Sequence, residues 1–194
     1  WPEEKAKLYL EPYRQVLDKV KPERDNLNQK IITSWRRKAN WWKYGRDSTN
    51  LYHHIGRGHS FDKHPKGWNS TNAKMEKVLV ASMVTKHLAF SFLPNEPVFA
   101  MMLNVFALSR YSDFSLLQSS IHAAFVWKHA SRMKNDLRYT PSDVYLPFPK
   151  PFTGSQYLLE ALGQKYHELR SEIMLEAQIG LTKFYNKFHD QENM

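Results

Sequence analysis

Pro141, Pro147, Pro149 and Pro151 stand close together in the last third of the chain and partition everything around them. Proline lacks a backbone N–H and its ring blocks the preceding turn, so regular helix is not expected to cross this stretch. An extended lace over the surface is predicted there. After Thr153-Gly154-Ser155 the opposite holds: Leu158, Leu162, Tyr166, Leu169, Ile173, Ala177, Leu181, Phe184 and Phe188 follow at mostly helical steps with no proline among them. Gly163 and Gly180 each weaken such a helix by about 1 kcal/mol relative to Ala. One long helix, or two with a break, fits the pattern.

Upstream, Leu8, Tyr13, Val16, Leu17 and Val20 predict an amphipathic helix over residues 3–20, with Glu3 and Glu4 in its first turn. A second helix is expected from Pro22, continued by Leu27, Ile31, Ile32 and Trp35. Residues 45–75, rich in Gly, Asn, Ser, His and Lys, read as loops with at most short strands. Strands are predicted at Lys77 to Val84, His87 to Leu93 and Pro97 to Leu108, forming a mixed sheet. Asp113 is the expected N-cap of a helix carrying Phe114, Leu117, Ile121 and Phe125 to the neighbourhood of Lys128. The fold class is therefore α+β: a small mixed β-sheet domain with packed helices, an amino-terminal helical pair, and a long carboxy-terminal helix or helical hairpin. The boundaries fall as a helical connector over 1–38, a central domain over 39–152 and a helical tail over 153–194.

The net charge of +9 is unevenly spread. Residues 1–70 hold 15 Lys or Arg against 8 Asp or Glu, residues 71–140 hold 8 against 4, and residues 141–194 hold 5 against 7. Such a field attracts polyanions, and aromatics threaded through it can stack on bases. A solvated basic face without a partner is the alternative. The chain has no cysteine, which excludes disulfides, thiolate metal sites and cysteine nucleophiles and suits a reducing, cytoplasmic setting. No stretch reaches the roughly 18 apolar residues of a membrane helix, and the charged opening is no signal peptide. The amino-terminal Trp1 suggests a piece excised from a longer protein.

Few constellations suggest catalysis. His53, His54, His59 and His64 match no zinc spacing, and no metal site is expected. Ser82, Ser119, Ser120 and Ser131 lack the glycine-flanked nucleophile elbow, and Gly56-Arg57-Gly58 lacks the rest of a phosphate loop. The stretch Ser131 to Asp143 is more unusual, with Arg132, Lys134 and Arg138 among amides, hydroxyls and Tyr139. It suits holding phosphates along a groove. Equally, Arg138 with Asp136 or Asp143 makes a structural clasp, with Tyr139 in the core.

Several segments stand in the order of one known group. They are Trp41-Trp42-Lys43-Tyr44 with Arg46; Val78-Leu79-Val80 leading to Thr85-Lys86-His87-Leu88-Ala89-Phe90; and Phe114-Ser115-Leu116-Leu117-Gln118-Ser119-Ser120-Ile121-His122. Asp136 to Asp143 then runs into Leu146-Pro147-Phe148-Pro149, and Gly180-Leu181-Thr182-Lys183-Phe184-Tyr185-Asn186 closes the series. Over residues 20–190 the chain resembles the carboxy-terminal target recognition region of single-chain adenine-specific DNA methyltransferases of type IIG restriction-modification and related phage-defence systems.

The resemblance implies a DNA-binding module that selects the sequence to be modified, with 39–152 as its target recognition domain. It implies double-stranded DNA and the methyltransferase domain of the same parent chain as partners, and S-adenosylmethionine in the parent but no cofactor here. No two of the ten prolines are adjacent, so the Asn-Pro-Pro-Tyr-type motif that receives a flipped adenine is missing. The phosphate-contact candidates are Arg36, Arg37, Lys38, Lys43, Lys86, Arg132, Lys134 and Arg138. Base readout is expected from the loop around 50–74 and from 109–113, through Arg57, His59, Lys63, Asn69, Asn72 and Arg110. A structural module docking another domain or subunit through its terminal helices is the second reading.

Overall fold

The computed structural model describes residues 2–28, 30–45, 48–71, 73–150 and 156–190. The chain forms two compact units, Trp1–Thr49 and Asn50–Met194. In the first, α1 (Glu3–Lys7) and α2 (Leu10–Lys19) replace the single helix expected over 3–20. Pro12 accounts for the break: in a continuous helix its ring would clash with the Leu8 carbonyl, so the chain opens at Tyr9 (φ −102°, ψ 77°) and restarts. α3 (Lys21–Asp25) begins with Pro22 in its first turn, where the missing N–H has no partner to lose. Leu27 and Ile31 then lie outside helix, and α4 is confined to Ile32–Ala39. Trp41, packed on Tyr13 at 5.5 Å, is this unit's buried apolar residue among those described. Arg24 fastens the turn after α4, its Nη1 donating to the carbonyls of Asn40, Trp41 and Lys43 at 3.2, 2.9 and 2.6 Å.

The second unit begins within α5 (Thr49–His54) and continues through a 3-10 turn at Gly58–Ser60, where only loops and short strands were expected. Gly56 is left-handed (φ 79°), and the Ala73 carbonyl lies where a Cβ would stand. The chain thereby folds back over the end of α5. Four strands follow: β1 (Lys77–Ser82), β2 (Val84–Thr85), β3 (Phe90–Pro94) and β4 (Leu103–Phe106). They are shorter than the sequence predicts. Of the stretch expected as strand from Pro97 to Leu108, only the end pairs, because Pro97 and Phe99 are held in a loop by Arg57 and Tyr52.

β1 is the centre of an antiparallel sheet in the order β3-β1-β4, with Val80 opposite Ser91 on one side and Val105 on the other. The expected mixed sheet is not formed. Parallel pairing needs a crossover of about a dozen residues or more, and the connections flanking β3 are too short. β1 is buried on both faces. Val78 and Val80 meet Tyr52, Ile55 and Phe99, while Leu79 and Ala81 meet Phe90, Phe106, Phe114 and Leu117.

The single helix expected from Asp113 to Lys128 is two, α6 (Tyr111–Gln118) and α7 (Ser120–His129). Asp113 lies inside the first turn of α6 and is not its cap. Ser119, extended at ψ 153°, breaks the run and caps α7 by accepting the His122 N–H. β5 (Ser131–Met133) and β6 (Asp136–Arg138) then form a hairpin where an irregular stretch was expected. β2 joins its other edge, giving a second antiparallel sheet in the order β2-β6-β5.

α8 (Pro141–Val144) corrects the expectation that the proline-rich stretch excludes helix, because Pro141 opens it. After residues 151–155, which lie outside the described set, α9 (Gln156–Glu176) and α10 (Leu181–Phe188) form, split before Gly180. α9 crosses α6 closely at Gly163, where the Tyr111 carbonyl leaves no room for a Cβ. Glu160 caps α6 from across this contact, its carboxylate accepting the N–H groups of Tyr111 (3.0 Å) and Ser112 (2.7 Å). Burial opposes ionisation of Glu160, but these donors prevail and hold its carboxyl below the usual range. No described helix is long and apolar enough to cross a membrane.

Candidate nucleic-acid interface

The root of the second sheet is fixed by its core. Leu137 and Tyr139 are fully buried, Tyr139 N–H donates to the Met83 carbonyl, and its own carbonyl accepts from Asn104 Nδ2 at 2.9 Å. Tyr139 Oη lies 3.4 Å from His122 Nε2, whose other ring nitrogen is 2.7 Å from the Leu117 carbonyl. Burial pushes the His122 pKa down and the Tyr139 pKa up, so both are neutral near pH 7. Tyr139 is therefore core, as one of the two sequence readings had it. The clasp half of that reading is not formed: among the described residues no salt bridge joins Arg138 to Asp136 or Asp143.

Beyond this root the ribbon is exposed. Every residue of β5 and both turn residues, Lys134 and Asn135, face solvent, as does Arg138. Lys134 takes φ 58°, the positive value that two-residue hairpin turns demand. Register assigns the faces. Arg132 pairs with Leu137, while Ser131 and Val84 pair with Arg138 on the following row. Successive rows face opposite ways, so Arg132 and Arg138 leave the ribbon from opposite faces. Arg132 is held by the ring of Trp127, its guanidinium 5.5 Å from the centroid. Lys86, just past β2, donates to Asn186 Oδ1 (3.1 Å), which also lies 2.8 Å from His87 Nε2.

This sheet thus gathers Lys86, Arg132, Lys134 and Arg138 from the predicted phosphate set. Arg36, Arg37, Lys38 and Lys43 belong to the first unit. There Arg36, Arg37 and Lys43 are exposed, but Lys38 donates to the Asp25 carbonyl at 2.8 Å. The base-readout candidates differ in what holds them. Arg57 is engaged within the fold, its Nη1 donating to the Asn95 and Pro97 carbonyls (3.3 and 2.8 Å) and its plane lying over Tyr52. His59 and Lys63 are exposed. The Asn69 Oδ1 accepts from the N–H and hydroxyl of Thr71 (2.9 and 2.8 Å), and the residue is exposed. Arg110 precedes α6, 3.7 Å from the Asp113 carboxylate. Asn72 lies outside the described residues.

The loop carrying His59 and Lys63 is braced by a small aromatic cluster. His53 Nε2 is 2.9 Å from His64 Nδ1, and the His64 ring stacks on Trp68 at 3.7 Å. His53 is on α5, in a stretch read from the sequence as loops with at most short strands. Among the described residues, no three His, Asp or Glu side chains come together as metal ligands. Sequence reasoning missed Trp127, near the end of α7, whose ring holds Arg132. Its position just before the Arg132 cluster was the available signal.

Past the rows paired with β2 only the Met133–Asp136 turn is two strands wide, and this tip, which carries Lys134, is narrow enough for a nucleic-acid groove roughly 12 Å wide, with Arg132 and Arg138 on the three-stranded base behind it. Comparison with known proteins bears on this geometry. Residues 20–152 match the family described as MmeI, target recognition domain. The fold is similar to that in the solved structure of the type IIL restriction-modification enzyme MmeI in complex with DNA, with a TM-score of 0.61 and 14% identity. That match covers 91% of this chain and 20% of the other, so this chain spans about a fifth of that protein's length. No curated protein matched.

Proposed function

We propose a DNA-reading role for this chain, which belongs to the MmeI target recognition domain family. The observation that carries it is the exposed hairpin of β5 and β6, which presents Arg132, Lys134 and Arg138 above a buried root, with Lys86 just past β2, in the part of the chain that defines the family. Phosphate contacts set the register of a protein on DNA, and contacts to base edges specify sequence. Here the ribbon enters a groove and its cations neutralise the walls. The braced loop presenting His59, Lys63 and Asn69 supplies groups able to address bases, whereas Arg57 contributes by holding that loop to the strand layer.

The finer reading follows from the family and from what the chain lacks. The chain selects a site in double-stranded DNA for a longer restriction-modification or phage-defence enzyme. Another part of that enzyme binds S-adenosylmethionine and methylates adenine at N6, and the present chain performs no chemistry. A salt titration of the 194-residue chain on labelled duplex DNA tests the DNA reading. If Lys86, Arg132, Lys134 and Arg138 each neutralise one phosphate, log K falls against log salt with a slope of roughly −0.9 times 4, about −3.6. Absence of binding at low salt, or binding indifferent to salt, refutes the reading.

A further inference from the structure

α9 and α10 enclose an open groove of about 380 Å³ that the DNA reading does not use. Its walls are apolar and uncovered: Leu169, Ile173 and Phe188 are 51%, 40% and 62% exposed. Leu158 and Leu162, both exposed, extend the surface up α9, because positions 158, 162, 169 and 173 fall on one helical face. A contiguous apolar strip of this kind marks an interaction site more often than a free surface. Arg170, buried at 3% exposure, borders the groove. Its donors reach Tyr185 Oη (3.1 Å), the Phe90 carbonyl (2.8 Å) and Ser91 Oγ (3.2 Å). Lys187 stands exposed beside it.

Among the described residues two cations, Arg170 and Lys187, therefore line the groove and no carboxylate does. A second copy meeting this face across a two-fold axis would bring those like charges together, which disfavours self-association. The fold also fills only 20% of the solved chain it resembles, leaving four-fifths of such a chain available to cover this face. We propose that the groove seats an apolar segment flanked by acidic side chains, supplied by the remainder of the longer enzyme. The apolar side chains fill the space between Leu169, Ile173 and Phe188, and a carboxylate faces Lys187. This rests on the proposal that the chain is one part of a longer enzyme, but not on where DNA binds.

The absence of cysteine makes the test direct. Phe188→Cys reports on the groove and Leu146→Cys, 72% exposed and not among its lining residues, serves as reference. Maleimide labelling without DNA, with sites located by peptide mass mapping, is run on the 194-residue chain and on the full-length gene product. In the short chain both thiols react at comparable rates. In the full-length protein the Phe188→Cys thiol slows at least tenfold relative to the Leu146→Cys thiol, and adding Lys187→Glu restores much of its reactivity. Equal rates in both proteins overturn the proposal, as does a gene product no longer than this chain. Slow labelling already in the short chain also overturns the proposal, because that chain or a second copy of it then covers the groove. Slowing that ignores Lys187→Glu overturns the acidic flank. The DNA titration is unaffected by any of these outcomes, so the two readings fail separately.

Discussion

Gly163→Ala sets two physical effects against each other at one residue. Within a helix interior the change is favourable by about 1 kcal/mol, because alanine has the higher helix propensity. In α9, however, an added Cβ points at α6, where it meets the Tyr111 carbonyl carbon at 2.9 Å and Ser115 Oγ at 2.5 Å, with the carbonyl oxygen nearer still. Neither neighbour yields easily: one is backbone, and the Ser115 hydroxyl donates to the Leu159 carbonyl at 2.7 Å. Overpacking costs about 1–3 kcal/mol, and a backbone obstacle places this site at about 3. Separating the helices also strains the Glu160 cap on α6. The net loss is about 2 kcal/mol. At about 2–4 °C per kcal/mol for chains of this size, the melting temperature falls by roughly 4–8 °C, measured by calorimetry with the second unit's transition followed separately. An unchanged or raised melting temperature would show that propensity prevails and that the α6–α9 contact is not as described.

Lys134→Gly removes a charge from the ribbon tip while easing a backbone with φ 58°, so stability holds or rises by up to about 1 kcal/mol. DNA affinity drops and the salt slope flattens by about 0.9, read by fluorescence anisotropy. Arg57→Ala loses the bonds to the Asn95 and Pro97 carbonyls and lowers stability by about 1 kcal/mol in urea unfolding, whereas Lys63→Ala, at an exposed loop position, leaves it within about 0.5 kcal/mol. Burial holds His122, His167 and His189 below the ordinary imidazole value of 6.5, so the unfolded chain takes up protons first as pH falls. Their contribution to stability is complete above pH 6.5 and is lost as pH drops toward their folded-state values. A further loss below the ordinary carboxyl value of 4.5 comes from Glu160. Unfolding free energies that do not change between pH 7 and 4 contradict this.

What the sequence made legible followed from local chemistry. The proline-free run gave α9 and α10, and the dense apolar segment gave β1, because helical and strand periodicity survive wherever one face is buried. Pro12 shows a local signal overlooked, since its ring alone divides the first helix. The ribbon's cations stood out as a cluster, yet strands of three residues with no alternation carry no period, so the hairpin was invisible before its pairing with β2 was seen. Arg57 and Arg170 mark the deeper limit. Neither residue's partner is near in sequence: they donate to carbonyls about 40 and 80 residues away. Which cations are spent on the fold and which remain for a partner is a tertiary fact.

Sequence selection from a random duplex pool tests the central claim most directly. The 194-residue chain, immobilised, is equilibrated at low salt with duplexes carrying a randomised core, and the retained DNA is sequenced after successive rounds. If the chain reads a DNA target, a short shared motif emerges, and each mismatched base pair within it costs about 1–3 kcal/mol in competition. A retained pool as random as the input, or no retained DNA, contradicts the account.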